Sequence, residues 1–275
     1  MRYCKQIEFD KITGFKLGWS LMGPPLMTVY CYVFDGIMVD TGQSHMAREV
    51  TEIAERFQVK QVYLSHHHED HSGNASAVKE KNTAAIFGHE LTVAKMQKPY
   101  AILPYQKYVW GKTTPLEIQP FPETIETPLG KMLSLHTPGH SKDHTVFLLQ
   151  DEGILFSGDL YLADRIKFFR VDEDIGLQIR SLQQVLTLDF DMLLCCHFPK
   201  LSGGKERIQS KLSFLEDFEG KVLNLREKGY SADRIFKTLK LREDYFTKYF
   251  CFGNVSMING VRSVIRHHGM AGSSA

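Results

Sequence analysis

Paired cysteines are what this sequence most plainly lacks. Its five cysteines (Cys4, Cys31, Cys195, Cys196 and Cys251) form an odd set without a CxxC pair. That excludes a thioredoxin-like motif and a zinc ribbon, and leaves reduced thiols as the expectation. No apolar run approaches the roughly 20 residues a membrane helix needs. The opening MRYCKQIEFDKITGFKLG has neither the apolar core nor the small-residue cleavage site of a signal peptide. A soluble, non-exported, cytoplasmic chain is expected, working off the membrane. A dominant charge is lacking too: 33 Lys and Arg stand against 32 Asp and Glu, which removes any whole-chain polycation argument for nucleic acid. The balance is uneven, however, with 20 basic and 24 acidic side chains in residues 1–203 and 13 and 8 in residues 204–275. What remains is an ordinary globular composition, 43% hydrophobic and 24% charged over 275 residues. That length suits one large domain or two modest ones.

The first two-thirds alternates strand-like and helix-like stretches. Thr28–Phe34 and Ile37–Val39 are β-branched and aromatic, and Asp35-Gly36 between them predicts a tight hairpin. After Asp40-Thr41-Gly42, Ser44 is placed to cap a helix whose Met46, Val50, Ile53, Ala54 and Phe57 share one face. Further strands are predicted at Gln61–Leu64, Ala84–Gly88, Met132–Leu135, Thr145–Gln150, Ile154–Phe156 and Met192–Cys196, with a helix over Ile175–Leu186. Residues 89–127 read as irregular, proline-rich and aromatic (Tyr100, Tyr105, Tyr108, Trp110), the pattern of a functional loop or lid. Past Ser202-Gly203-Gly204 the periodicity is helical only. Ile208, Leu212, Leu215, Val222 and Leu225 recur over 205–228, Gly229 is a stop, Ser231 caps a short helix, and 255–265 is a last amphipathic run. The division predicted is one domain over 1–203 and a helical one over 204–275, ending in a frayed GMAGSSA tail.

The chemistry concentrates after the strand Gln61–Leu64. Residues 65–73, SHHHEDHSG, place three histidines and an aspartate at HxHxDH spacing. Imidazole and carboxylate are the donors that zinc and similar divalent ions take. In an extended loop alternate side chains face one way, so His66 and His68 can grip one ion. Asp70 and His71 then turn toward a second position, and His67 and Glu69 face elsewhere. His140, Asp159 and His197 each follow a later strand, in TPGH, SGD and Cys196-His197-Phe198. Strand ends are where sites on α/β scaffolds gather. Together these residues make two three-residue ligand sets and one carboxylate able to bridge them.

Taken jointly, Asp40-Thr41-Gly42, HxHxDH, TPGH, SGD and the late His197 resemble the metallo-β-lactamase superfamily of hydrolases, over about residues 13–203. The stretch LHTPGHSKDH, with a helical C-terminal segment, is similar to the glyoxalase II and lactamase-like branch. The resemblance implies an α/β fold, a four-layer αββα sandwich followed by a small helical C-terminal domain. It implies His66, His68 and His140 at one metal position, Asp70, His71 and His197 at the other, and Asp159 bridging. Two divalent ions would be held, zinc first, with iron and manganese also suited to the donor set. Asp40 would orient a ligand histidine, and His144 would support the site from below. Asp70 would orient the nucleophile and pass its proton on, while Tyr161 would donate to a developing oxyanion. Two departures stand out. The last ligand is flanked by Cys196 and Phe198, not glycines, with Cys196 expected to point away into the core. Leu160–Arg165 also replaces the cysteine-glycine-arginine stretch of glyoxalase II. The implied activity is cleavage of a small-molecule ester, thioester or lactone by a hydroxide bridging two ions. The alternative is a nuclease or phosphodiesterase, which the basic tail favours. Pocket walls are expected from residues 18–27 and 89–127.

Overall fold

Two sheets face each other in the computed structural model, which describes residues 1–271. The first has seven strands in chain order: β1 (Arg2–Phe9), β2 (Ile12–Trp19), β3 (Thr28–Phe34), β4 (Ile37–Val39), β5 (Gln61–Tyr63), β6 (Ala85–Gly88) and β7 (Gln119–Pro120). The second is built from β8 (Ile125–Thr127), β9 (Gly130–His136), β10 (Thr145–Leu149), β11 (Ile154–Gly158) and, after the short β12 (Phe169–Arg170), β13 (Met192–Cys195). Its spatial order is β13-β11-β10-β9-β8, and β12 pairs with β14 (Val255–Ser256) in a separate ribbon.

Side-chain alternation turns these two sheets into four layers. Successive strand residues point to opposite faces. In β3, Val29, Cys31 and Val33 face outward, while Tyr30, Tyr32 and Phe34 face the second sheet. In β10, Phe147 and Leu149 meet that same inner core, and Val146 and Leu148 face the other way. The first half also carries helices α1 (Ala47–Arg56), α2 (Glu69–Ser72), α3 (Ala75–Asn82), α4 (Glu90–Met96) and α5 (Pro104–Val109). Of these, α1, α3 and α4 cover the first sheet with Val50, Ile53, Val78 and Met96. Then come α6 (Ile175–Leu186), α7 (Gly204–Glu227), α8 (Ala232–Thr238), α9 (Tyr245–Phe250) and α10 (Met257–Ala271). Leu182 of α6, Ile208, Leu212 and Leu215 of α7, Ile235 of α8 and Val261 of α10 form one apolar layer with Val146, Leu148 and Leu193 of the second sheet. The fold is therefore an αββα sandwich whose C-terminal helices lie on the second sheet. Val255, Cys251 and Phe250 form a separate cluster with Tyr105 of α5.

Several local expectations meet the structure directly. Asp35 and Gly36 both take left-handed φ, 44° and 75°, which a tight two-residue hairpin turn requires. Ser231 caps α8 by accepting from Arg234 N, and Gly229 is left-handed just past α7. Other expectations are corrected. Ser44 makes no cap: a 3-10 turn over Ser44–Met46 leads into α1, and its hydroxyl donates to the Trp110 carbonyl. Residues 89–127 hold two short helices and two short strands where an irregular stretch was expected. The hairpin β1–β2 was not expected at all. Most of β1 is exposed at the sheet edge, so it lacks the apolar alternation that announces a strand. Of the predicted frayed tail, residues 269–271 continue α10, and residues 272–275 lie outside the described residues. Among the described residues no helix is long and apolar enough to cross a membrane.

Candidate metal centre

The parallel pairs β4·β5 and β11·β13 deliver their strand ends to the same edge of the sandwich. His66, His68, Asp70 and His71 leave β5, the last two within α2. His140 sits in the connection from β9 to β10, Asp159 follows β11, and His197 lies two residues past β13. The sharp turn at Asp159 depends on Gly158, whose φ is 47°. A Cβ there would lie 2.7 Å from His144 Nε2, so only glycine fits.

Seven side chains converge, all of them buried or nearly so. His68 Nδ1 lies 2.8 Å from His66 Nε2 and 3.1 Å from His140 Nε2, which makes a three-nitrogen group. His71 Nε2 and His197 Nε2 lie 3.4 and 3.6 Å from Asp159 Oδ1, and 3.7 and 3.9 Å from Asp70 Oδ2. The other oxygen of Asp159, Oδ2, lies 3.3 Å from His140 Nε2. One carboxylate thus faces both groups. His71 Nε2 and Asp159 Oδ1 are fully buried and have no hydrogen-bond partner among the described residues. Buried polar atoms left unpaired are costly, and a cation between them is the partner their chemistry fits. Burial raises the Asp159 pKa, but the imidazoles of His71 and His140 outweigh it and hold the carboxyl well below its ordinary range.

The outward nitrogens are held as firmly as the inward ones. His71 Nδ1 lies 2.8 Å from Asp40 Oδ2, and Asp40 also accepts from Ser65 N and Ser65 Oγ, both at 2.8 Å. Asp40 itself sits in the left-handed region at φ 57°, a strained conformation that such sites tend to store. Ser65 Oγ lies 3.0 Å from His66 Nδ1, His197 Nδ1 donates to the Thr28 carbonyl at 2.8 Å, and His140 Nδ1 lies 3.3 Å from Glu173 Oε1. These partners assign an inward lone pair on Nε2 to His66, His71, His140 and His197. His144 lies beneath the site. Burial lowers its pKa to about 3, and the neutral ring accepts from Asp159 N at 3.0 Å.

Three contributors escaped the sequence reading: Asp143, Glu173 and Ser65. Asp143 is buried and accepts from His67 N, Thr92 Oγ1 and Ser141 Oγ at 2.7–2.9 Å, with His67 Nδ1 at 3.0 Å. It ties the HxHxDH loop to the loop bearing His140, and its nearness to His144 in LHTPGHSKDH was the only available hint. Glu173 sits in the acidic run Asp172-Glu173-Asp174, which gave no sign of a contact with His140. Glu69 turns away from the group, as expected, and accepts from Gln106 of α5 at 3.1 Å.

Two candidates are placed otherwise than expected. Tyr161 does not join the site: it is buried in the outer apolar layer, and its hydroxyl donates to Asp164 Oδ1 at 2.7 Å. Its backbone has already turned away from the metal edge. Cys196 does pack into the core of the first sheet, as expected, but closer behind the site than expected. Its thiol lies 3.4 Å from Asp40 Oδ2 and 3.5 Å from His71 Nδ1, behind the imidazole and away from the inward Nε2. The segment 89–127 does border the group: Tyr100 donates to the His67 carbonyl, and the Trp110 ring lies 6.5 Å from that of His197.

An αββα sandwich gathers imidazole and carboxylate donors at one edge, from both sheets, in groups that could hold metal ions. The family model of the metallo-beta-lactamase superfamily matches residues 24–197, and the chain belongs to that superfamily. A metallo-beta-lactamase family protein from Thermus thermophilus shares the fold, with a TM-score of 0.66 and 23% identity over 93% of this chain and 94% of that one. Hydroxyacylglutathione hydrolase from Shewanella baltica (strain OS185) is 26% identical over 215 residues, covering 76% of this chain and 72% of that protein. The lactamase-like protein aptB of Emericella nidulans is 29% identical over 160 residues, 57% of this chain. That match spans only 45% of aptB, and a similar one spans 51% of a beta-lactamase-like protein 2 homolog from Drosophila melanogaster.

Proposed function

We propose that this chain is a two-metal hydrolase acting on a small-molecule ester, thioester or lactone. The observation that carries the reading is the buried, unpartnered pair His71 Nε2 and Asp159 Oδ1, set among further imidazole and carboxylate donors. His66, His68 and His140 would hold one divalent ion, Asp70, His71 and His197 a second, and Asp159 both. The mixed nitrogen and oxygen set suits zinc, with iron or manganese as alternatives. Ions at such positions polarise a substrate oxygen and bring the pKa of a bound water to about 7.

The protein residues do the rest. Asp40, Ser65, Glu173 and the Thr28 carbonyl fix the imidazole tautomers, so each inward Nε2 is presented as a lone pair. His144 holds the Asp159 backbone so that its two oxygens face opposite groups. Asp70 Oδ2, 3.7 Å from His71 Nε2 and 3.9 Å from His197 Nε2, would orient the nucleophile and take its proton. Trp110 and Tyr100 wall the edge and limit solvent there. A thioester is favoured by the hydroxyacylglutathione hydrolase relative, whose named substrate is one. A polymeric phosphodiester is disfavoured by charge: residues 1–203 carry 20 basic and 24 acidic side chains, and RNA binding draws on a basic track.

Metal analysis and paired assays test this. Zinc-loaded protein should hold about two ions per chain, and His66→Ala or Asp159→Ala should lower that number and abolish turnover of a model thioester or lactone. Full activity of metal-free protein in chelator would overturn the metal reading. Salt-sensitive cleavage of single-stranded RNA without thioester or lactone turnover would replace the substrate class.

A further inference from the structure

A lysine is buried in the apolar layer beneath the second sheet, a place where charge is normally avoided. Lys211 of α7 is 1% exposed. Its Nζ has one hydrogen-bond acceptor in the protein, the Leu160 carbonyl at 2.6 Å. No carboxylate among the described residues pairs with it directly. Burial pushes its pKa down to about 8, against the opposing charges of Glu173 and Asp159. A methionine would fill the same space without desolvating an ammonium, so a role in packing alone does not account for the charge.

What the ammonium holds is the turn that aims Asp159. Four bonds pin that turn. Leu160 N donates to Ser157 O at 2.9 Å, and Asp159 N donates to His144 Nε2 at 3.0 Å. Cys196 N donates to Gly158 O at 3.4 Å, and Lys211 Nζ closes the set at Leu160 O. The first three come from the turn itself and from segments beside it in the second sheet. Among the described residues only Lys211 reaches in from the C-terminal helices. The Asp159 oxygens face the two donor groups at 3.3–3.6 Å, so a small rotation of the turn would favour one group over the other.

We propose that Lys211 is a positioning residue for the metal centre: by holding the Leu160 carbonyl it fixes the aim of Asp159, and it makes α7 a working part of the site. This rests on the two-metal reading above. Since removal of an outer hydrogen bond typically weakens metal binding 10–100-fold, Lys211→Met should lower zinc affinity about tenfold. Affinity is read by competition with a chromophoric chelator, and the ligand field by the visible spectrum of the cobalt-loaded protein, which should shift. Val222→Ala is the control. Val222 is fully buried in the same helix and the same apolar layer, so its truncation should lower the melting temperature and leave zinc affinity and the cobalt spectrum unchanged.

The outcomes separate the two claims. If the unaltered chain binds no zinc, the metal reading fails, and the proposal with it. If it binds zinc and Lys211→Met matches it in affinity and cobalt spectrum, the role of Lys211 is refuted while the metal reading stands. Equal losses in Lys211→Met and Val222→Ala would likewise refute it, as general destabilisation. Should the methionine variant not fold, Lys211→Leu, which likewise removes the donor to the Leu160 carbonyl, decides by the same criteria.

Discussion

Replacing Asp143 by asparagine changes almost no volume and removes the charge that joins the HxHxDH loop to the loop carrying His140. The carboxylate accepts from His67 N, Thr92 Oγ1, Ser141 Oγ and the His67 ring. An asparagine offers one acceptor oxygen, and its amide nitrogen would confront the remaining donors. Hydrogen bonds to a charged group contribute about 1.5–3 kcal/mol each. Losing two, with the hydroxyls free to rotate, gives a cost of about 3 kcal/mol. For a chain of this size that is a melting temperature lower by about 6–12 °C. The assay is thermal unfolding followed by circular dichroism, in chelator so that metal binding does not mask the difference.

Acid supplies the second half of the same test. Burial raises the Asp143 pKa, but the hydrogen bonds and charge of His67, with those of Ser141 and Thr92, hold it far below the ordinary carboxylate range. A carboxyl whose folded-state pKa is depressed stabilises fully above its unfolded value of about 4 and loses that contribution as pH falls below it. The gap between the unaltered chain and Asp143→Asn should therefore narrow between about pH 5 and pH 3. A variant melting within about 2 °C of the unaltered chain at neutral pH, below the 6–12 °C worked out above, would refute the reasoning. So would a gap that stays constant into acid.

Asp40→Ala removes the acceptor for His71 Nδ1 and Ser65, and zinc affinity should fall about 10–100-fold by chelator competition; unchanged affinity would show that His71 needs no such partner. Tyr161→Phe deletes the bond to Asp164 and should cost about 1 kcal/mol of stability. Its kcat/KM on a thioester should stay within about twofold, because a hydroxyl outside the site supplies no transition-state stabilisation to lose. A larger loss would return Tyr161 to the reaction.

The donor set was legible because it is written locally. HxHxDH compresses four donors into one loop, and His140, Asp159 and His197 each close an apolar strand that periodicity alone reveals. Residues that act from a distance were not legible. Glu173 and Lys211 reach the site only once α6 and α7 lie on the second sheet, and neither has neighbours in sequence that mark it. Tyr161 was misplaced for a related reason: two residues past Asp159 is close in sequence, but the turn at Gly158 sends the chain into the outer layer. The β1 strand was missed because edge exposure erases the period-two pattern. Its pairing with β2, from Arg2↔Trp19 to Phe9↔Ile12, comes from backbone geometry.

The centre is also a joint between halves made at different times. His66, His68, Asp70 and His71 belong to the first sheet and leave the ribosome early, whereas His140, Asp159 and His197 belong to the second and follow much later. Neither half carries a complete donor group, since each group takes two residues from the first half and one histidine with Asp159 from the second. An ion held by a full donor group therefore completes its coordination only when the two sheets meet, and its binding energy then counts toward their docking. Such an ion would work as a rivet: once seated it would link the first half of the chain to the second.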